Sequence, residues 1–267
     1  MRYAILTDIH GNSLALDAVF ADITAKGGVD QYLFLGDYCG IGYDPVGILE
    51  RIASLPNANF VRGNVDRYVT RHQSPDPTIE DVHNNPQLAQ VLAEVQRGFG
   101  WTSGAIMQAS KSGEVDYWSW LRDLPLEHRL TLPDGTRILC VHAKPAHDDG
   151  DALYPEQTDD ALREFQQGAE ADLIFVGHTH IPHQRTVDGV HWCNPGSVGN
   201  PLNYPDTPTD VRACYAILDT GHDGYSITLH RVEYDVEGVI QAFHAWEYPS
   251  RVYAISFYEG KRLAGWL

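Results

Sequence analysis

Basic residues are scarce: 19 lysines and arginines stand against 36 aspartates and glutamates, a formal charge of -17 over 267 residues. A surface of that sign repels phosphate backbones and anionic membranes, which argues against a general nucleic-acid binder. Part of the charge suits divalent cations, although a solubilising acidic surface accounts for most of it. Cysteine is sparse too. Cys39, Cys140, Cys193 and Cys214 are widely separated, form no CxxC pair and mostly lie in apolar runs, which points to reduced, buried thiols. No apolar run approaches a membrane span, and residues 3–6 are too short for the core of a signal peptide, so the expected location is the cytoplasm. Internal repeats and low-complexity linkers are absent as well. What is present is ample apolar material, 43% of the chain with 6 Trp and 14 Tyr, enough to bury the core of one large domain.

Five short runs rich in β-branched or aromatic residues read as buried strands: 3–6, 32–35, 59–61, 138–141 and 173–176. Between the first two, Leu16, Val19, Phe20 and Ile23 recur at helical spacing after a cap at Asn12 or Ser13, and Gly27-Gly28 stops the helix. A second helix opens with Asp44 as cap and Pro45 in its first turn, turns Ile48, Leu49 and Ile52 inward, and ends before Pro56. Residues 68–130, approximately, break this rhythm. Pro75, Pro77 and Pro86 mark loops there, while 88–95 and 115–121 read as helices, so the segment is expected to be an inserted helical cap within a single domain covering 1–267. Its Tyr117, Trp118 and Trp120 are expected to pack in the core rather than face a substrate. Later runs at 190–193, 214–218 and 225–232 read as strands of a second sheet, and Val239, Ile240 and Phe243 as a last helix.

Each of the five strand-like runs is followed within a few residues by a metal-capable side chain: Asp8 and His10, Asp37, Asn64, His142, then His178 and His180. Strand ends gather on one rim of an open α/β sheet, so these residues are expected to converge. The alternate pairs Asp8/His10 and His178/His180 suit extended backbone, on which every second side chain points the same way. One Asp-x-His or one histidine is common by chance; five such elements in order, each at a strand end, are not. Two carboxylates, four imidazoles and an amide oxygen form a hard-to-borderline donor set, suited to Mn²⁺, Fe, Zn²⁺, Co²⁺ or Ni²⁺ rather than to Ca²⁺. Two such ions sharing Asp37 would make hydroxide from water near neutral pH and clamp a phosphoryl group for in-line attack, which implies phosphate-ester hydrolysis.

These residues resemble the calcineurin-like metallophosphoesterase superfamily, whose signature runs DxH, GD, GNH, H and GHxH. Here it stands as Asp8-Ile9-His10, Gly36-Asp37, Gly63-Asn64, His142 and Gly177-His178-Thr179-His180. The likeness extends to Gly40, Gly42 and Pro45, to Pro145, to Asn194-Pro195-Gly196-Ser197-Val198-Gly199 and to Glu233-Tyr234-Asp235-Val236-Glu237, which are similar to the small bacterial members. The resemblance implies a four-layer α/β/β/α sandwich. It also implies one metal on Asp8, His10, Asp37 and His180, and a second on Asp37, Asn64, His142 and His178, with Mn²⁺ foremost and Asp37, Asn64 and His178 as catalytic residues.

One departure matters. The family motif continues Gly-Asn-His-Asp/Glu, and this chain reads Gly63-Asn64-Val65-Asp66. The missing histidine is the one that protonates the leaving group or steadies the phosphoryl, work that an isopropyl side chain cannot do. Members lacking it resemble phosphodiesterases, so the expected activity is hydrolysis of small phosphodiesters. His72, His83 and His147 are candidate substitutes, each set against a plain solvent-exposed role, and Arg62 and Asn12 are candidate phosphate contacts, with a structural ion pair an equal competitor for Arg62. A phosphomonoesterase or protein phosphatase is the weaker reading, because Gly36-Asp37-Tyr38-Cys39-Gly40 lacks the Asp-Arg-Gly continuation. A catalytically weak regulatory or scaffold protein that retains metal is the reading from another class. A homo-oligomer is left open, since self-association is common.

Overall fold

The computed structural model describes residues 1–73, 78–201 and 210–260. The run behind Arg2 forms β1 (Arg2–Leu6), and its side chains alternate between two cores. Ala4 and Leu6 pack with helices, while Tyr3 and Ile5 pack with a second sheet. α1 (Ser13–Ala25) follows, with Asn12 Oδ1 accepting from the Ala15 amide at 3.1 Å as its cap. β2 (Gln31–Phe34), α2 (Pro45–Ala53) and β3 (Ala58–Phe60) complete the parallel half of the first sheet, and Asp44 caps α2 through the Gly47 amide.

Four helices come next: α3 (Asn64–Arg71), α4 (Ile79–Asn84), α5 (Leu88–Ser112) and α6 (Tyr117–Arg122). Pro75 and Pro77 lie outside the described residues. α5 is far longer than the expected 88–95 and runs through Gly98, Gly100 and Gly104, residues that weaken a helix but do not end this one. The end of the expected insertion falls in β4 (Glu127–Thr131), a polar edge strand with no apolar run to announce it. Tyr117, Trp118 and Trp120 pack against the core, Trp120 with its ring 5.1 Å from that of Phe60.

β5 (Arg137–Val141), α7 (Asp159–Phe165), β6 (Leu173–Phe175), β7 (His183–Val187) and β8 (Val190–Asn194) build the second sheet, in the order β4-β5-β6-β8-β7. The runs at 214–218 and 225–232 do not join it. They form β9 (Ala213–Gly221) and β10 (Gly224–Val232), an antiparallel hairpin that pairs with β1, so the first sheet runs β10-β9-β1-β2-β3. The hairpin covers the edge that β1 would otherwise leave open, a pairing across more than 200 residues that no local pattern encodes. α8 (Val236–Ala245) carries Val239, Ile240 and Phe243 but is not the last helix: α9 (Arg251–Tyr258) follows. All residues from Tyr253 to Tyr258 are buried, so α9 shows no polar face to betray its period.

A core drawn from both sheets, with Ile5, Leu33 and Leu35 on one side and Cys140, Phe175 and Cys193 on the other, holds the two sheets together. All four cysteines are free and buried. Among the described residues no helix is long and apolar enough to cross a membrane.

Candidate metal centre

Because the sheets share a core, the ends of β1, β2 and β3 meet those of β5 and β6, and seven side chains from two sheets reach one place. The expectation of a single sheet rim is replaced by a junction between two. Nor are the alternating pairs on extended backbone. Asp8, His10, Asp37, His178 and His180 have φ of 55°, 48°, 56°, 66° and 61°, in the left-handed region that Asp and His tolerate better than most residues. Past each strand the chain kinks, and the kinks turn both members of each pair inward.

Neighbouring groups lock the kinks. Asp8 Oδ2 accepts from the Thr7 hydroxyl at 2.7 Å and the His178 amide at 3.1 Å, leaving Oδ1 buried and aimed at His180 Nε2, 3.1 Å away, and His10 Nε2, 3.7 Å away. Asp37 Oδ1 accepts from the Val65 amide at 2.9 Å, and its Oδ2 lies 3.4 Å from His142 Nε2 and 3.7 Å from His10 Nε2. Asp66, which the sequence reading passed over, accepts from the backbone amides of Asp37, Tyr38 and Gly63 at 2.9, 3.1 and 2.9 Å and so ties two of the kinked loops together. Its place in the Gly63-Asn64-Val65-Asp66 motif was the available signal. Asn194 and Ser197, in the Asn-Pro-Gly-Ser segment, bind the Gly177 and Asp8 carbonyls at 2.6 and 2.8 Å. Gly63 is required here, since a Cβ on it would stand 2.0 Å from Asp37 Oδ1.

Hydrogen bonds also set the imidazole tautomers. His142 Nδ1 donates to the Leu35 carbonyl at 2.7 Å and His180 Nδ1 to the Asn200 carbonyl at 2.8 Å, so in the neutral rings both Nε2 atoms carry lone pairs. In those neutral rings the lone pairs face atoms that can themselves accept. His142 Nε2 is 2.8 Å from Asn64 Oδ1, which is also 3.0 Å from His178 Nδ1, and His180 Nε2 is 3.2 Å from His10 Nε2. Asp8 Oδ1 and His10 Nδ1 are buried without any hydrogen-bond partner. Orphaned and opposed acceptors of this kind fit a group that accepts electron pairs, and the residues therefore suit divalent cations. Two three-residue groups, Asp8/His10/His180 and Asp8/Asp37/His142, each bring their ligand atoms within 4.8 Å of one another.

Charge in the cluster is tightly coupled. Burial alone would raise the Asp8 carboxyl, but the His180 and His10 imidazoles override it and hold it well below the usual carboxylate range. Burial would likewise lower His142, yet the Asp37 and Asp8 carboxylates push it to about 10. His178, buried beside charged His142, falls to about 4. Burial and the adjacent Asp37 charge raise Asp66 to about 7.

The other candidates lie elsewhere. Asn12 caps α1, and its amide group donates to the Gly199 carbonyl and the Tyr258 hydroxyl. Arg62 is buried, with Nε and Nη2 both on Asp148 Oδ2 at 3.0 and 2.8 Å. Neither residue, nor His72, His83 or His147, lines the cavity above the cluster. That cavity, of about 310 Å³, is floored by His10, Asp37, Asn64, His178 and His180 and walled by Val65 and Tyr68 of α3, Val95 and Phe99 of α5, and Tyr253 and Phe257 of α9. Glu94 and Asp149 also face it, and among the described residues that line it there is no lysine or arginine.

The model of the calcineurin-like phosphoesterase superfamily domain matches residues 1–223. An uncharacterised protein of Methanocaldococcus jannaschii is 31% identical over 250 residues, 88% of each chain. The crystal structure of a metallophosphoesterase from Sphaerobacter thermophilus superposes with a TM-score of 0.70 at 28% identity, over 96% of this chain and 98% of that one. A hypothetical protein from Pyrococcus horikoshii shares the fold, with a TM-score of 0.75 at 19% identity over 98% and 99% of the two chains.

Proposed function

This chain belongs to the calcineurin-like phosphoesterase superfamily, and from that premise we propose that it hydrolyses small phosphodiesters with two divalent cations, Mn²⁺ foremost. Asp8, His10, Asp37 and His180 would hold one ion, and Asp37, Asn64, His142 and His178 the other. The observation that carries this reading is the set of seven donors, five of them buried, whose ligating atoms crowd together at and just beneath the floor of the cavity. When bound, such ions supply positive charge to the phosphoryl oxygens and acidify water. The chain's own part is preorganisation. Leu35 and Asn200 fix the His142 and His180 rings through their Nδ1 atoms, and Asp66 fixes the Asp37 loop through three amides.

Two features favour a small diester. Val65 stands where the family carries a histidine, so the group best suited to monoester leaving groups is replaced by an apolar one. The cavity wall combines aromatic rings with the carboxylates of Glu94 and Asp149, which suits an ester with a small organic group and disfavours a long polyanion.

The test compares bis-p-nitrophenyl phosphate with p-nitrophenyl phosphate, with added Mn²⁺, for wild type and Val65→His. Preference for the diester, shifting toward the monoester in the variant, is the expected result. No turnover of either ester with any divalent metal would sink the reading in favour of a regulatory metal-binding protein.

A further inference from the structure

Val65 leaves the cavity without a histidine donor at that position, yet one helical turn further on Tyr68 brings a phenol to the same wall. Its ring is held in place from two sides: Phe99 stacks on it at 6.3 Å between centroids, and the Arg67 guanidinium lies 4.6 Å from its centroid. The hydroxyl donates to Asp149 Oδ2 at 3.2 Å, and the Asn64 side chain hydrogen-bonds to the phenol oxygen. Asn64 in turn presents Oδ1 to His142 and His178. One amide therefore spans the gap between the phenol and the ligand cluster. Two other hydroxyls on this cavity are engaged with backbone, Tyr248 with the Gly40 carbonyl at 2.8 Å and Ser250 with the Glu94 carbonyl at 2.5 Å.

We propose that Tyr68 is a catalytic residue whose hydroxyl contacts the leaving oxygen of the ester and does the work of the absent histidine. The inference rests on the phosphodiesterase reading above. As the oxygen of water bonds to phosphorus, the bond from phosphorus to the leaving oxygen breaks and its electron pair stays on that oxygen. The Tyr68 proton passes to it, the attacking water on the opposite side of phosphorus gives up its own proton to solvent, and the phenolate regains one from solvent, so the alcohol leaves neutral and no further reactant is needed. Asp149 keeps the hydroxyl oriented until substrate displaces it.

A donor to the leaving group matters most where the leaving group is poor, which separates this role from a structural one. The experiment measures kcat/KM with Mn²⁺ for diphenyl phosphate and bis-p-nitrophenyl phosphate, in wild type, Tyr68→Phe and the double variant Val65→His/Tyr68→Phe, alongside Mn²⁺ affinity by titration calorimetry. Tyr68→Phe keeps the ring and its stacking and removes only the hydroxyl. The expected result is a loss of roughly 100-fold or more on diphenyl phosphate and less than about tenfold on the nitrophenyl ester, with unchanged Mn²⁺ affinity and partial recovery of diphenyl phosphate turnover in the double variant. Equal losses on both esters, a fall in Mn²⁺ affinity that matches the fall in rate, or a selective loss in Tyr253→Phe instead would overturn the assignment. Wild-type inactivity toward both esters would remove the functional reading itself, and this inference with it.

Discussion

The Nε2 atoms of His10 and His180 stand 3.2 Å apart in buried rings, and with His180 Nδ1 donating to Asn200 a hydrogen bond between them has to come from His10 Nε2, which leaves His10 Nδ1 bare; with the other tautomer two lone pairs face each other. Either way a cation that accepts from both Nε2 atoms beside the buried Asp8 carboxylate serves the pair better. Metal should therefore stabilise the fold as well as enable turnover. At a hundredfold excess of Mn²⁺ over its dissociation constant the gain is about 2.7 kcal/mol, which raises the melting temperature by roughly 5–10 °C for a chain of this size. Thermal melts with Mn²⁺ and with EDTA check this, and coincident curves would contradict it.

Metal uptake should expel protons. With its pKa at about 10, His142 carries a proton in the metal-free protein at neutral pH, and an imidazole must lose that proton to become a ligand. The sign follows: affinity climbs as pH rises, by about tenfold per unit for each proton released, and levels off near pH 10. Titration calorimetry in buffers of different ionisation heat reads the release directly. An enthalpy independent of buffer would rule it out.

Asp37→Asn should fold and fail to turn over. The asparagine carbonyl can still accept from the Val65 amide, so the loop keeps its anchor, while the charge between the two ligand groups is gone. Rates on bis-p-nitrophenyl phosphate are expected to fall by about 10²–10⁴-fold, equivalent to a few kcal/mol of lost electrostatic stabilisation. A variant within tenfold of wild type would remove Asp37 from the centre of the mechanism.

Asp148→Ala tests whether Arg62 is structural. Asp148 is 4% exposed and receives Arg62 through Nε and Nη2 and Arg67 through Nε, so its loss strands the buried Arg62 guanidinium, while Arg67 keeps Asp149 and Gln73. The expected cost is about 3–5 kcal/mol, read by urea denaturation. A cost below about 1 kcal/mol together with a raised KM would return Arg62 to the role of a phosphate contact.

The candidate ligand positions were legible because each is local. An apolar run, a turn and a short polar motif lie within ten residues of one another, as with residues 3–6 and Asp8-Ile9-His10. The two long-range matters were not. β9 and β10 read as strands, but their partner is β1, with Leu218 opposite Tyr3, and a strand's composition does not name its neighbour. α9 stayed hidden because its residues from Tyr253 to Tyr258 are all buried, and Arg62 was left between a phosphate contact and an ion pair because its partner, Asp148, lies 86 residues away. The backbone at Asp8 and His10 also eluded the pattern: spacing by two has a simple source in a strand, and the same spacing in a left-handed kink leaves no separate trace.

Those kinks bear on how this protein would respond to selection. Five of the seven proposed ligands hold a backbone conformation that glycine adopts freely and other residues adopt at about 1–3 kcal/mol each. Glycine at any of them would relax the backbone, and at Asp8, His10 and Asp37 it would also remove a buried charge or a ring nitrogen without a partner. A library of variants screened for heat resistance in the absence of metal would therefore drift toward glycine at positions 8, 10, 37, 178 and 180, and the most heat-stable survivors would be those that had lost their chemistry.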